Sequence, residues 1–254
     1  MTERSFALLG SGEFEAWTAD VDRWLLERTT RSGPVLIAPT AAAPEGEEVF
    51  GRWARMGLDH FQNAGIAAEV LELRTREDAF SDDVVEMLRD APLLYFSGGN
   101  PAFLVEALAG TPFWNAVLAA LDDGLAYAGC SAGVAALGVR APDSSVRGFS
   151  RDTWREGLGL FPRTLFGPHW DAVDLYVPGA TAAIEAAVPP GARLFAIDES
   201  TAVIGDGREW SVVGSGGVAI LEEGEWRRFP NGTSFDLDAL GDTDTAPEMT
   251  GEPA

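Results

Sequence analysis

The residues of this chain best placed to do covalent chemistry lie in Leu125-Ala-Tyr-Ala-Gly-Cys-Ser-Ala-Gly-Val-Ala-Ala-Leu-Gly138. A strand-like apolar run there meets Gly129-Cys130-Ser131-Ala132-Gly133 and passes into a short helical run. The pattern is G-x-S-x-G, in which a strand turns abruptly into a helix and presents the serine as a nucleophile. Glycine two positions either side of Ser131 lets the two segments pass closely. At the start of a helix, unpaired N–H groups and the helix dipole favour a developing anion, and the Ala132 N–H is the expected first oxyanion donor.

A second segment supports this chemistry. Leu93-Leu-Tyr-Phe-Ser-Gly-Gly-Asn-Pro101 reads as a buried strand, two glycines, then Asn100 and Pro101 as helix cap and first helical residue. Its helix is expected to run to Gly110 as its C-terminal cap. Bare backbone at the carboxyl end of a parallel strand is where open α/β sheets bind ligands. The Gly99 N–H is the expected second oxyanion donor, with Gly98 as the alternative.

A serine nucleophile needs a base, and the chain has two histidines, His60 and His169. His60 lies on an amphipathic helix beside Phe50, Trp53 and Phe61, a pattern that reads as packing. His169 follows the strand-like Thr164-Leu-Phe-Gly-Pro168 and is the better base. A carboxylate should fix its tautomer. Asp143 is taken first, Glu199 second, and Asp152 or Asp171 after them; the residues alone leave the choice open. Asn100, Trp170 and Glu199, which flank these groups, are the expected substrate contacts.

The composition removes competing chemistries. Among 254 residues, all 18 basic side chains are arginine, so Schiff-base and phosphate-loop lysine mechanisms are excluded. A formal charge of −22 argues against nucleic acid, which requires a basic stripe. One cysteine excludes an internal disulfide and, with two histidines, a Cys/His metal cluster. The expected mechanism needs no metal or cofactor. No run approaches the ~20 apolar residues of a spanning helix. The reading is of a cytoplasmic protein without nucleic-acid or membrane partners, and with a homodimer left open.

The elements that must position these residues alternate. Apolar runs at Phe6–Leu9, Val35–Ala38, Ala67–Leu73, Leu93–Phe96 and Leu125–Ala128 are separated by amphipathic stretches at Ala16–Arg28, Val49–Ala64 and Asp83–Arg89. Alternation of this kind predicts an α/β fold with a mainly parallel sheet flanked by helices. After residue 190, Arg193–Ile197, Ala202–Ile204, Glu209–Val213, Val218–Leu221 and Glu225–Arg228 read as β-hairpins attached to the end of the same sheet. One α/β domain over 1–235 is expected. Residues 236–254 carry six acids and no base, and read as a disordered tail.

With these residues in place, the chain resembles the peptidase E and cyanophycinase family of serine peptidases, whose fold is related to class I glutamine amidotransferases. The likeness covers residues 5–215 and runs in order through Leu9-Gly-Ser-Gly-Glu13, Phe96-Ser-Gly-Gly-Asn100, Gly129-Cys-Ser-Ala-Gly133, Gly157-Leu-Gly-Leu-Phe-Pro162, Pro168-His169 and Ala196-Ile-Asp-Glu199. It implies a serine peptidase cleaving a small peptide or isopeptide-type amide bond, with Ser131 as nucleophile, His169 as base and a carboxylate from the segment after the elbow, hence Asp143. It also implies that a glutamate at the position of Glu199 lies near the site. Two departures bear on substrate. The arginine with which the family's aspartyl dipeptidases hold an acidic side chain is missing, since residues 170–192 contain no Arg. Where cyanophycinases carry an acidic or amide residue and a glutamine, this chain has Asn100-Pro101 and Gly167-Pro168. Acids at 171 and 174 are candidates for a substrate cation.

Other readings fit less well. A glutamine amidotransferase has cysteine at the elbow position, and Cys130 falls one residue early, where it should point into the sheet. An α/β-hydrolase would have an upstream His-Gly-Gly loop and a histidine farther from its serine than the 38 residues found here. Gly10-Ser-Gly12 opens a dinucleotide fingerprint, but Glu15 occupies the third glycine's place. From a different class, a non-catalytic binding or interaction module on the same fold remains the rival.

Overall fold

The computed structural model describes residues 4–146 and 148–237. The first half alternates as expected. Strands β1 (Ser5–Leu9), β2 (Val35–Ala38), β3 (Ala68–Val70), β4 (Leu93–Phe96) and β5 (Ala126–Cys130) alternate with helices α1 (Ala19–Leu26), α2 (Glu47–Asn63), α3 (Asp82–Glu86), α4 (Pro101–Leu108) and α5 (Pro112–Asp122). All residues of β1, β2, β4 and β5 are buried, which explains why these strands read as unbroken apolar runs. Val21, Leu25 and Phe61 of α1 and α2 cover one face of the sheet. Val84, Leu104, Phe113 and Val117 of α3–α5 cover the other.

Both helices of the α4–α5 pair begin with proline after a capping side chain. Asn100 accepts from the Ala102 and Phe103 N–H groups, and Thr111 from Trp114. The turn between them passes through Gly110 at φ 69°. Among the described residues, no single helix is long and apolar enough to cross a membrane.

The chain continues through α6 (Ala132–Ala135), β6 (Arg140–Pro142), β7 (Trp154–Glu156), β8 (Thr164–Gly167), α7 (Val173–Tyr176) and α8 (Ala180–Ala186). It ends with β9 (Arg193–Ile197), β10 (Thr201–Gly205), β11 (Glu209–Gly214), β12 (Gly217–Glu222), β13 (Glu225–Pro230) and β14 (Ser234–Asp236). The main sheet has eight strands in the order β14-β11-β10-β1-β5-β4-β2-β3. Its β1-to-β3 part is parallel, while β10, β11 and β14 extend the β1 edge antiparallel.

The late strands correct the sequence reading in one respect: they are shared between two sheets. Strands β13-β12-β9-β8 form a separate four-stranded sheet, in which β9 lies parallel to β8. The chain leaves that sheet at 198–200, crosses to the free edge of β1 as β10 and β11, and returns as β12 beside β9. Burial drives the split, because Phe195, Ile197, Val218 and Ile220 of the small sheet share one apolar cluster with Val203, Trp210 and Val212 of the large one. Two residues of the expected tail belong to the folded part. Asp236 pairs in β14 and Leu237 is buried, while residues 238–254 lie outside the described residues.

Two glycines decide whether β5 can turn into α6. A Cβ on Gly129 would lie 2.5 Å from the Gly133 carbonyl oxygen, and one on Gly133 would lie 2.5 Å from that of Phe96. Both neighbours are backbone and have no room to yield. Gly133→Ala is therefore expected to lower stability by about 1–3 kcal/mol, as overpacking does. A melting temperature equal to that of the unaltered protein would count against this packing account.

Candidate active site

Ser131 follows β5 directly and takes φ 51° and ψ −103°. Such a conformation at a residue with a Cβ costs on the order of 1–3 kcal/mol and persists only where the surroundings impose it. Here its N–H donates to the Leu9 carbonyl at 3.0 Å, and its own carbonyl accepts from Val134 and Ala135 at the start of α6. Phe14 (φ 64°), His169 (φ 57°) and Ser200 (φ 47°) are strained in the same sense. Each lies on one of the loops that build the site. The remaining described case, Glu223, is in the β12–β13 turn.

His169 stands just beyond the end of β8. Its Nε2 is 2.9 Å from Ser131 Oγ, and its Nδ1 is 2.9 Å from Glu199 Oε1. With Nδ1 protonated and donating to Glu199, Nε2 is the acceptor for the serine hydroxyl. Glu199 is itself fixed from two sides: Tyr176 Oη donates to the same Oε1 at 2.7 Å, and the Glu199 N–H donates to Asp171 Oδ1 at 2.7 Å. The hydrogen bond from His169, then that from Tyr176, hold the Glu199 carboxyl below the usual carboxylate range. The same contact raises the Tyr176 hydroxyl above its ordinary value.

The structure thus brings Glu199, and not Asp143, to the histidine. Asp143 Oδ1 accepts from Asn100 Nδ2 at 3.0 Å and from the Ser145 N–H and Oγ at 3.0 and 2.6 Å, while Oδ2 faces Arg155 at 3.3 Å. These partners, the Ser145 hydroxyl first, hold its carboxyl below the ordinary range. Asp143 ties the loop after β6 to the cap of α4, and both ends of the Asn100 amide are occupied in that junction. Asn100 is therefore structural here, not poised to contact substrate. Trp170 packs on Trp226, with ring centroids 5.5 Å apart, and is absent from the cavity beside Ser131. Asp152 is exposed on its loop. His60 pairs with buried Asp22 at 2.7 Å, away from the serine.

The two glycines after β4 have different tasks. The Gly98 N–H is taken, since it donates to Glu13 Oε1 at 2.9 Å, which removes Gly98 as an oxyanion donor. The Gly99 and Ala132 N–H groups make no hydrogen bond to another described residue and are free to donate. Gly99 has φ 141°, and a Cβ there would lie 2.3 Å from the Ala41 backbone. Sequence reasoning missed Glu13. Only 5 % exposed, it accepts from Gly98 through one oxygen and from the Cys130 thiol, at 2.8 Å, through the other. The signal available for it was an acid closing the Gly10-Ser-Gly12 turn directly after β1.

A cavity of about 220 Å³ opens beside Ser131, bounded by Gly99, Ala135, His169 and the loop from Pro142 to Trp154. A larger cavity of about 460 Å³ is lined by Arg4, Arg28 and Glu209 and includes Ser5, the first residue of β1. Ligands of parallel sheets bind at the carboxyl ends of the strands, so the smaller cavity is the one that belongs to the chemistry.

A serine on a strained strand-to-helix turn, facing a histidine and a carboxylate on an α/β sheet, is the arrangement shared by serine hydrolases, peptidases among them. The model of peptidase family S51 matches residues 6–213, and the chain belongs to that family. Cyanophycinases of Nostoc sp. (strain PCC 7120 / SAG 25.82 / UTEX 2576) and Trichormus variabilis (strain ATCC 29413 / PCC 7937) are each 25% identical to it over 231 residues, 88% of this chain and 75% of theirs. The solved structure of a peptidase from an acI-B1 Actinobacterium superposes with a TM-score of 0.84 at 30% identity, covering 93% of this chain and 99% of that one. A putative peptidase E protein from Listeria monocytogenes EGD-e shares the fold, with a TM-score of 0.58 at 19% identity over 83% of this chain and 98% of its own.

The two carboxylates separate by mutation. Glu199→Gln is expected to lower the rate at which Ser131 reacts with a fluorophosphonate by about 10²- to 10⁴-fold, the scale for losing a triad carboxylate. Asp143→Ala should change it by less than about tenfold while lowering stability. The reverse order of losses would restore Asp143 as the histidine's partner. Tyr176→Phe removes one donor to Glu199, so its carboxyl rises toward the ordinary range. The acid limb of the reactivity profile then moves to higher pH, and an unmoved limb would deny Tyr176 that positioning role.

Proposed function

We propose that this peptidase hydrolyses an amide bond of a small peptide through Ser131, His169 and Glu199. The observation that carries the reading is the unbroken chain of 2.9 Å contacts from Ser131 Oγ through both ring nitrogens of His169 to Glu199. His169 Nε2 takes the hydroxyl proton as Ser131 Oγ attacks the carbonyl carbon, and the carbonyl oxygen becomes an oxyanion between the Gly99 and Ala132 N–H groups. When the tetrahedral species collapses, the C–N bond breaks and the amine leaves with the proton from His169. An acyl ester remains on Ser131. Water then attacks that ester, gives its proton to His169, and the acid product departs as the proton returns to Ser131 Oγ. Glu199 stays ionised throughout and stabilises the imidazolium.

The cyanophycinase specificity of the relatives is not carried over, because Asn100 is engaged in a structural junction and Gly167-Pro168 offers no side-chain amide. The single thiol, Cys130, is fully buried and unpaired, which suits a reducing cytoplasm.

Treatment with a fluorophosphonate should modify Ser131 stoichiometrically. Ser131→Ala and His169→Ala should abolish labelling and lower peptide turnover by about 10⁴-fold or more. A folded protein that is not labelled at Ser131 would point instead to a binding module on a peptidase fold.

A further inference from the structure

We infer that the cavity beside Ser131 selects an apolar side chain, aromatic or large aliphatic, on the residue whose carbonyl the serine attacks. This rests on the peptidase reading above and names its substrate class.

Three observations carry it. The first is placement. The cavity runs along Gly99, Ser131 and Ala135, from the proposed oxyanion donor past the nucleophile to the next turn of its helix, with His169 at its rim. A carbonyl carbon held at Ser131 with its oxygen at the Gly99 N–H directs its own substituent into that space, while the amine leaves toward His169.

The second is the wall. Phe166, Val173, Val177, Ile184, Phe149 and Trp154 line it, and no arginine side chain among the described ones does. Benzene fills an apolar cavity of about 150 Å³, so about 220 Å³ accepts a phenyl or isobutyl group. Apolar surface continues outside, where Leu175 and Tyr176 stand exposed on the helix that sends Val173 into the wall.

The third is that the carboxylates able to hold a charged substrate are already used. Asp143, the one carboxylate on the wall, is bonded to Asn100 and Ser145 and paired with Arg155. Asp171 holds the Glu199 N–H, and Asp174 holds the Thr181 N–H and hydroxyl. A basic substrate side chain would have to displace Arg155. An acidic one would meet the Asp143 carboxylate, and among the described side chains the cation beside it, Arg155, is already paired with Asp143, leaving a desolvated charge in an apolar space. A phenyl or isobutyl side chain meets neither obstacle.

The test is hydrolysis of p-nitroanilides of Phe, Leu, Asp and Arg, each with a free and an acetylated amine, together with the dipeptides Phe-Ala and Ala-Phe. The Phe or Leu derivative is expected to exceed those of Asp and Arg by about 10²-fold or more in kcat/KM, the scale of pocket discrimination. Phe-Ala should be cleaved faster than Ala-Phe. In Val177→Arg, the ratio of Asp to Leu hydrolysis should rise at least about tenfold, as a cation enters the wall. Asp or Arg derivatives cleaved as fast as Phe and Leu, a preference for Ala-Phe, or an unchanged ratio in Val177→Arg would each overturn the assignment. Fluorophosphonate labelling separates the two levels. A labelled Ser131 with no apolar preference rejects the pocket assignment alone, and an unlabelled Ser131 rejects the peptidase reading and the pocket with it.

Discussion

The backbone at Ser131 sits in a conformation that a residue with a side chain avoids, and the arrangement around it serves to hold it there. The serine N–H is fixed to the Leu9 carbonyl at the end of β1, its carbonyl is fixed by α6, and the turn closes only because Gly129 and Gly133 carry no Cβ. Parallel pairing of β1 with β5, Leu9 opposite Cys130, puts that carbonyl within reach. The unbroken apolar character of both strands therefore has a catalytic consequence: it buries them on both faces and locks the register that aims the hydroxyl. His169 and Ser200, strained in the same sense, turn two further strand ends toward the same point.

Glu13 organises the ground beneath the nucleophile. A carboxylate buried to this degree is costly unless its oxygens are satisfied, and both are, one by the Gly98 N–H and the other by the Cys130 thiol. The first bond fixes the peptide just before Gly99, so the N–H proposed as an oxyanion donor is held in place beforehand, as electrostatic preorganisation requires. The second bears on the choice of nucleophile. Burial first, and then the Glu13 charge, push the Cys130 thiol well above its ordinary value. The one thiol in the chain is thereby kept protonated and donating, and it does not compete with Ser131.

Much of this was legible in the sequence, because local chemistry dictates it. Strands β2, β4 and β9 and the Asn100-Pro101 start of α4 fall where apolar runs and capping residues place them. Ser131, His169, Gly99 and Ala132 were likewise marked by their immediate neighbours. Glu199 was weighed second because its role depends on a pairing that no local pattern encodes. Strands β8 and β9 are parallel, with Gly167 opposite Ala196, so the residues just beyond their ends, His169 and Glu199, emerge side by side. The connection between them runs through α7 and α8, as a parallel pair requires. Asp143 was taken first because it lies between nucleophile and base in the sequence, in the segment after the elbow where the resemblance implies the carboxylate.

What Asp143 does instead links the walls of the cavity to the chemistry. Its carboxylate joins the loop that carries Val146, Phe149 and Trp154 to Asn100, and Asn100 is the residue after Gly99 and the cap of α4. The peptide that supplies the oxyanion donor is thus anchored from behind by Glu13 through Gly98 and from the front by Asn100, whose N–H bonds to the Ala41 carbonyl at 2.8 Å. A displacement of the apolar wall pulls on Asn100 and so on Gly99, whose φ of 141° and contact with Ala41 leave little freedom to absorb it. Side chains in that wall therefore influence the position of the oxyanion donor as well as the volume offered to substrate. Binding energy from a well-packed side chain can in this way reach the transition state, where it raises turnover and not affinity alone.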